Sequence, residues 1–368
     1  MREIRTSGSR RGEGFLPYST GVFLLFEVYV LQGRAMQEHE LDDLGIFRIP
    51  VPIPFRQAGG PANVYIVEEE YGFLLFDTGL GTNESRAALS EGLARTGHRF
   101  EDVSRIILSH GHFDHFGAAA WIQEQIGRSV PISIHTADAG KVLESGADWP
   151  TLLTRNGRYF STLGVPMPML EETAAIIGRN AEMGKRLANV TPLLPGERLR
   201  CKHVTLEVLH MPGHTPGLCC LYDRDHRLLF SADHLLEHVS PNPLIELSPG
   251  GEAPSSKSLV TYFESINRVR ALSIDLVLPG HATPFSAHRK VIDSLADFYA
   301  RRQAKLVDAL KRGPLTVYEA MRELFTSDNG FELILMISET LGNLEVLEAR
   351  GKITREIDGE LIRFGLVA

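Results

Sequence analysis

Four side chains able to hold a metal fall within six positions, His110, His112, Asp114 and His115, in the stretch Ser109-His110-Gly111-His112-Phe113-Asp114-His115. The stretch follows the apolar run Ile106-Ile107-Leu108. A ligand pair on one helix face needs only an i, i+4 spacing. The spacing here, i, i+2, i+4 and i+5, fits a loop at a strand end, where side chains splay toward two centres. Imidazole and carboxylate are the usual ligands of Zn²⁺ and other borderline divalent cations. A lone histidine is more often packed or on the surface, but four metal-capable groups in one tight loop point to a metal centre.

Further candidates lie in short Gly- and Pro-marked loops, each after an apolar run. Val204–Leu209 leads into Pro212-Gly213-His214-Thr215-Pro216-Gly217, and Leu228-Leu229-Phe230 into Ser231-Ala232-Asp233-His234. Ile274–Leu278 leads into Pro279-Gly280-His281-Ala282-Thr283-Pro284, and upstream Phe73–Phe76 ends in Asp77-Thr78-Gly79. This ordered series, over roughly residues 45–290, resembles the metallo-beta-lactamase superfamily, with its strand-end Asp, HxHxDH, and later His, Asp and His. The resemblance is specific as to fold and metal site, and unspecific as to substrate.

The resemblance implies an α/β fold, an αββα sandwich with metals at one sheet edge. It implies that His110, His112 and His214 hold one metal, that Asp114, His115 and His281 hold another, and that Asp233 bridges them with a shared hydroxide. Two divalent ions are therefore expected, zinc first, with iron or manganese as alternatives that His/Asp ligands do not distinguish. Two such ions, less two carboxylates and one hydroxide, leave a net charge of about +1, suited to anionic substrates or developing oxyanions. Asp114 is expected to act catalytically as well, orienting the hydroxide and relaying its proton to the leaving group. Asp77 is expected to support the metal loop from behind, with a plain turn role as the alternative. His135, His210 and His234 match no ligand position and read as packed or hydrogen-bonded histidines.

The elements that must position these groups read as short strands bounded by Gly and Pro at 46–53, 63–67 and 73–77, a helix at 83–96, and a strand at 105–108 feeding the metal loop. A helix at 116–126, a strand at 132–135 and a short helix at 137–144 follow, an alternation that indicates helices packed outside sheet. Strands resume at 204–209, 218–222 and 228–230, then a helix at 257–271 and the strand before His281.

Residues 148–200 break this rhythm as a helical insert. Trp149, Tyr159, Phe160, Met167 and Met169 sit among Gly and Pro, and Ile176, Met183 and Leu187 mark one helix face within 171–189. Lying between the second and third metal motifs, the insert can wall a substrate pocket, with Tyr159 and Phe160 as substrate-binding residues. A long amphipathic helix at 287–311 opens residues 291–368. These read as two helices, 315–325 and 331–350, and a hairpin turning at Asp358-Gly359. That order resembles the winged-helix domain that follows the metal domain in beta-lactamase-like endoribonucleases. Its second helix carries Glu332, Glu339, Glu345 and Glu348 against Arg350 alone. Carboxylates face phosphates badly, which favours a packing or homodimerisation module over a nucleic-acid reader.

The chain is 368 residues, 43% hydrophobic and 23% charged, with a net charge of −8. That gives no general attraction to nucleic acid. Its three cysteines, Cys201 and the adjacent Cys219 and Cys220, form no disulfide framework and suggest a reducing, cytoplasmic setting. Residues 1–35 read as a disordered leader, with Met36 the natural start of a hydrolase domain at 36–290. The apolar run 21–26 is too short to span a bilayer, and no membrane role is expected. The function expected is hydrolysis of a small anionic thioester or carboxylic ester. Single-strand endoribonuclease is the alternative enzyme, and a non-catalytic metal-binding regulator the alternative outside enzymes.

Overall fold

The computed structural model describes residues 38–145, 149–180, 183–247, 254, 256–326 and 332–367. The leader expected at residues 1–35 lies outside them. Two mixed sheets form. The first runs β1 (Ile46–Val51), β2 (Ala62–Glu68), β3 (Phe73–Phe76), β4 (Val103–Ile107), β5 (Ile132–Ile134), β6 (Thr191–Pro192), antiparallel as far as β3 and parallel from there. The second contains β7 (Arg198–Arg200), β8 (Thr205–His210), β9 (Cys219–Asp223), β10 (Leu228–Ala232) and β11 (Leu276–Pro279), in the order 11-10-9-8-7, with only β10 and β11 parallel.

The period of two along each strand decides which sheet face a residue joins. In β2, Tyr65 and Val67 point between the sheets, where they meet Leu206, Leu221 and Phe230. Val64 and Ile66 point outward. There they meet α2 (Asn83–Arg95), α4 (Ala119–Ile126) and α5 (Thr136–Val142) through Leu89, Ile122 and Val142. The short α1 (Glu38–Asp42) precedes β1, and α3 (Phe113–Phe116) carries the metal loop. Adjacent cysteines separate in the same way, Cys219 inward and Cys220 outward, and both thiols stay free. Burial pushes the Cys219 thiol up to about 12, so it is an inert packing group.

The insert differs from the expectation. A helix not foreseen, α6 (Trp149–Thr162), begins it, and α7 (Met167–Asn180) ends before Met183 and Leu187. The expected face through Ile176, Met183 and Leu187 therefore belongs to no single helix. Leu187 instead pairs with Leu143 as a short extended bridge, donating its N–H to Val142 O at 2.8 Å, and Met183 O accepts from Gly81 N at 2.6 Å. Gly184 explains the change, because a Cβ there would lie 2.9 Å from the Phe113 ring and 3.0 Å from Gly117. The chain after α7 is drawn in against the metal loop.

On the far face of the second sheet lie α8 (Ser258–Arg270) and the 23-residue α9 (His288–Leu310). The chain continues through β12 (Leu315–Thr316), α10 (Val317–Leu324), α11 (Glu332–Ala349), β13 (Ile353–Asp358) and β14 (Leu361–Leu366), with sheet order 12-14-13. A capping box of Thr316 and Glu319 starts α10. The insert and these elements share one core, in which Tyr159, Phe160 and Leu163 pack with Leu306, Met321, Leu341 and Phe364. Among the described residues no helix is long and apolar enough to cross a membrane.

Candidate metal centre

Five strands of the two sheets end at one edge, and each hands over to a loop carrying one motif: β3 to Asp77, β4 to His110–His115, β8 to His214, β10 to Asp233 and β11 to His281. The turns are tight. Asp77, Ala232 and Ala282 all take positive φ (61°, 45° and 63°), a region non-glycine residues rarely occupy. Such strain persists where surrounding contacts fix it, commonly at functional sites. Gly280 is required at this point, because a Cβ there would sit 2.2 Å from Asp233 Oδ1. Tyr65 in β2 donates its hydroxyl to Pro279 O at 2.8 Å, tying the His281 loop across the sandwich.

The seven expected ligands are brought together. His112 Nδ1 lies 3.0 Å from His110 Nε2 and 3.1 Å from His214 Nε2. His281 Nε2 lies 3.5 Å from Asp114 Oδ2 and 3.3 Å from Asp233 Oδ2, and His115 Nε2 lies 3.4 Å from Asp233 Oδ1. Asp233 also reaches His214 Nε2, at 3.6 Å, so it stands between the two histidine sets. His110, His112 and His214 form one group able to hold an ion, and Asp114, His115 and His281 another.

The outer nitrogens explain why the inner ones are free. Asp77 accepts from Ser109 N at 2.7 Å and from Ser109 Oγ at 2.8 Å, and His115 Nδ1 donates to it at 2.8 Å. Ser109 Oγ in turn accepts from His110 Nδ1 at 2.9 Å, and Asn242 O accepts from His214 Nδ1 at 2.9 Å. Each contact sets the tautomer that leaves an Nε2 lone pair facing inward. His115 Nε2, His281 Nε2 and Asp233 Oδ1 are buried with no hydrogen-bond partner. Buried polar atoms are rarely left so, and a shared cation fits the gap. The donor set of imidazole and carboxylate suits zinc, iron or manganese.

Electrostatics agrees. Burial and the neighbouring imidazoles hold His110 and His112 well below the ordinary histidine value, and burial lowers His214. Burial acts the same way on His115 and His281, but there the Asp233 carboxylate and its neighbours outweigh it and raise both. Burial works against ionised Asp233, yet His281 and His115 hold it well below the usual carboxylate range. The imidazoles of His110, His112 and His214 are thus neutral, and Asp233 is ionised.

The remaining histidines keep apart from both groups. His135 caps α5, accepting from Ala137 N at 3.2 Å, and stacks on His210 with ring centroids 4.0 Å apart. Burial pushes His234 down to about 3, and its ring packs on Tyr262. Tyr159 and Phe160, expected to wall the substrate, are packed into the core shared with the C-terminal elements, 6% and 3% exposed. That placement assigns them to packing, because aromatic rings at an i, i+1 spacing on α6 follow the nearest large apolar surface.

Asp138 escaped the sequence reading. Asp138 in α5 accepts from Gly111 N at 3.0 Å, Thr215 Oγ1 at 2.6 Å and Gly217 N at 3.0 Å. It therefore clamps the HxHxDH loop to the His214 loop. Lys141 lies 3.2 Å from Asp138 and 2.6 Å from Glu246, so a cation shared by two carboxylates offsets the buried charge of the clamp. The only signal was an acid in the first turn of a helix, which is common without any such role.

The family model of the metallo-beta-lactamase superfamily matches residues 58–281. The chain is 29% identical over 321 residues to "Probable metallo-hydrolase YqjP" of Bacillus subtilis, covering 87% of this chain and 97% of that protein. It is 29% identical over 243 residues to human "Acyl-coenzyme A thioesterase MBLAC2", covering 64% of this chain and 78% of the relative. A metallo-beta-lactamase family protein from Thermus thermophilus superposes with a TM-score of 0.73 at 28% identity, covering 88% of this chain and 99% of that one.

Proposed function

We propose that this chain, which belongs to the metallo-beta-lactamase superfamily, is a binuclear metal-dependent hydrolase of acyl thioesters. The observation that carries the substrate class is the similarity to an acyl-coenzyme A thioesterase over 64% of the chain. The ligand geometry carries the chemistry. His110, His112 and His214, and Asp114, His115 and His281, with Asp233, would hold two divalent ions, which would supply a nucleophilic water at neutral pH and Lewis acidity toward the acyl carbonyl.

The chain's own residues do the rest. Asp114 is the most exposed carboxylate of the centre, its side chain 14% accessible, and its two oxygens face His115 and His281. It accepts one proton of the attacking water and passes it to the sulfur as the carbon–sulfur bond breaks, leaving a thiol and a carboxylic acid that releases the second proton to solvent at neutral pH. Asp77 and Ser109 hold the imidazoles still while charge develops. Neutral carboxylic esters fit the same attack, with an alkoxide that needs the Asp114 proton more than a thiolate does.

The nuclease alternative meets a charge problem. Arg302, one of the basic residues able to build a phosphate-tracking strip, is 6% exposed and paired with Glu339 at 3.0 Å. Lys311 and Arg312 are engaged by Asp308 and Glu323. In α11 the residues from Met336 to Leu347 are buried, so this helix offers no face to a groove. We read the C-terminal helices and hairpin as a winged-helix-like packing module.

The test is a panel of acyl-CoA thioesters, simple carboxylic esters and single-stranded RNA presented to the zinc-, iron- and manganese-loaded full chain. Thioester turnover with kcat/KM of at least ~10³-fold over Asp233→Ala, and no RNA cleavage, is the expected result. RNA cleavage that falls steeply with salt, without thioester turnover, refutes the proposal.

A further inference from the structure

Residues 240–247 run from the Asp233 motif toward α8 and pass behind His214. Asn242 is the contact: its backbone oxygen accepts from His214 Nδ1 at 2.9 Å. Its side-chain nitrogen donates to Leu335 O of α11 at 2.9 Å, and Asn242 is 5% exposed. The same loop is held at three more points. Ile245 N donates to Ser338 Oγ of α11 at 3.2 Å, Tyr299 of α9 donates its hydroxyl to Pro241 O at 3.0 Å, and Ser258 of α8 donates to Leu244 O at 2.9 Å. Elsewhere on α11, and not touching this loop, Glu339 meets Arg302 at 3.0 Å and Asn343 accepts from Gln303 at 3.2 Å.

We propose that α11 is a positioning element of the metal centre, acting on His214 through Asn242. A histidine ligand is useful only when its ring is turned with the correct nitrogen inward. That orientation is commonly set by an acceptor on the other ring nitrogen, outside the ligand set. For His110 and His115 the acceptors come from the sandwich itself, Ser109 and Asp77. For His214 the acceptor is a loop carbonyl, and a loop carbonyl is only as well placed as the contacts that hold its loop. Three of those four contacts, from Leu335, Ser338 and Tyr299, come from the C-terminal region. The C-terminal region therefore contributes to the site at a distance, without presenting a ligand.

The proposal concerns metal binding, and it stands or falls separately from the thioester reading because its readout is affinity. Zinc affinity of the full chain is measured by chelator competition, alongside the melting temperature, for Asn242→Asp, Ser338→Ala and Asn343→Ala. Asn242→Asp keeps the size of the side chain but points a carboxylate oxygen at Leu335 O. We expect its zinc affinity to fall about 10–100-fold, and that of Ser338→Ala several-fold. Asn343→Ala breaks the contact with Gln303 elsewhere on α11, so it lowers the melting temperature and leaves affinity within about twofold. If Asn242→Asp does not fold, Ser338→Ala against Asn343→Ala carries the same comparison. Unchanged affinity in the Asn242 and Ser338 variants overturns the proposal. So does an equal loss in Asn343→Ala at matched melting temperature, which reduces α11 to a general stabiliser.

Discussion

Two clusters of buried polar groups, the strand-end cluster from His110 to His281 and the interface of α9 with α11, are satisfied in different ways. At the strand ends, atoms from loops far apart in sequence converge with free lone pairs on His115, His281 and Asp233. Between the helices, Arg302 meets Glu339 and Gln303 meets Asn343, and the Arg302 guanidinium also stacks 4.3 Å from the centroid of Phe325. A buried charge persists beside an opposite charge of the same chain or beside one the chain recruits. The helical cluster is of the first kind, because the Arg302 guanidinium offsets a Glu339 carboxylate whose oxygens have no hydrogen-bond partner. The strand-end cluster is of the second kind, and its geometry is incomplete without a cation.

The sharpest way to test that contrast is Asp233→Ala, which removes the group between both histidine sets. Occupancy at both positions and hydrolysis should collapse, activity by at least ~10³-fold. His234→Ala beside it should keep its metal, as elemental analysis of the two proteins checks. In the helical cluster Arg302→Ala leaves Glu339 buried and unpaired. Urea denaturation at pH 8 should show a loss of about 3–5 kcal/mol, with metal content per folded chain unchanged. Loss of metal in that variant would merge the two clusters into one system.

Smaller effects sharpen the boundary. Asp138→Asn keeps the shape of the clamp between the His110 and His214 loops but removes its charge, and should weaken zinc binding about 10-fold. A shift in melting temperature alone would move Asp138 into the self-contained class. The pH dependence is smaller still. Burial pushes the Glu339 carboxyl up to about 7, against the lowering effect of Arg302. A raised acid binds its proton more tightly when folded. Its stabilising contribution is therefore full below the ordinary value of 4.5 and fades as the pH climbs through 7. Stability measured at pH 5 and pH 8 should fall more in the natural protein than in Glu339→Gln, by about 1–3 kcal/mol.

The contrast also explains what could be read beforehand. The residues proposed as ligands were legible because each follows an apolar strand run in a Gly- or Pro-marked loop, and that local pattern survives without knowledge of contacts. The longer strands and the helices α2, α8, α9 and α11 were legible for the same reason, a local period, whereas β6 and β7 inside the expected helical insert and β12 at the start of an expected helix were not. The supports were not. Asp138 and Asn242 act through backbone atoms of loops distant in sequence, and nothing in their neighbours distinguishes them from a helix-start acid or a loop amide. Helix α6 was hidden because Gly157 and scattered aromatics blur its period. Arg302 could have been found, since it continues the buried stripe of Leu295, Phe298 and Leu306 on α9.

That helix has a thermal consequence. Val291, Leu295 and Tyr299 belong to the core over the second sheet, and Leu306 and Leu310 to the core shared by the insert and the C-terminal elements. One continuous rod of 23 residues, about 35 Å long at 1.5 Å per residue, runs through both. Neither core can melt without withdrawing half the surface that orders the rod, so heat has no soft joint at which to begin. Calorimetry of the full chain should record one endotherm, and a protease should find no stable half to leave behind.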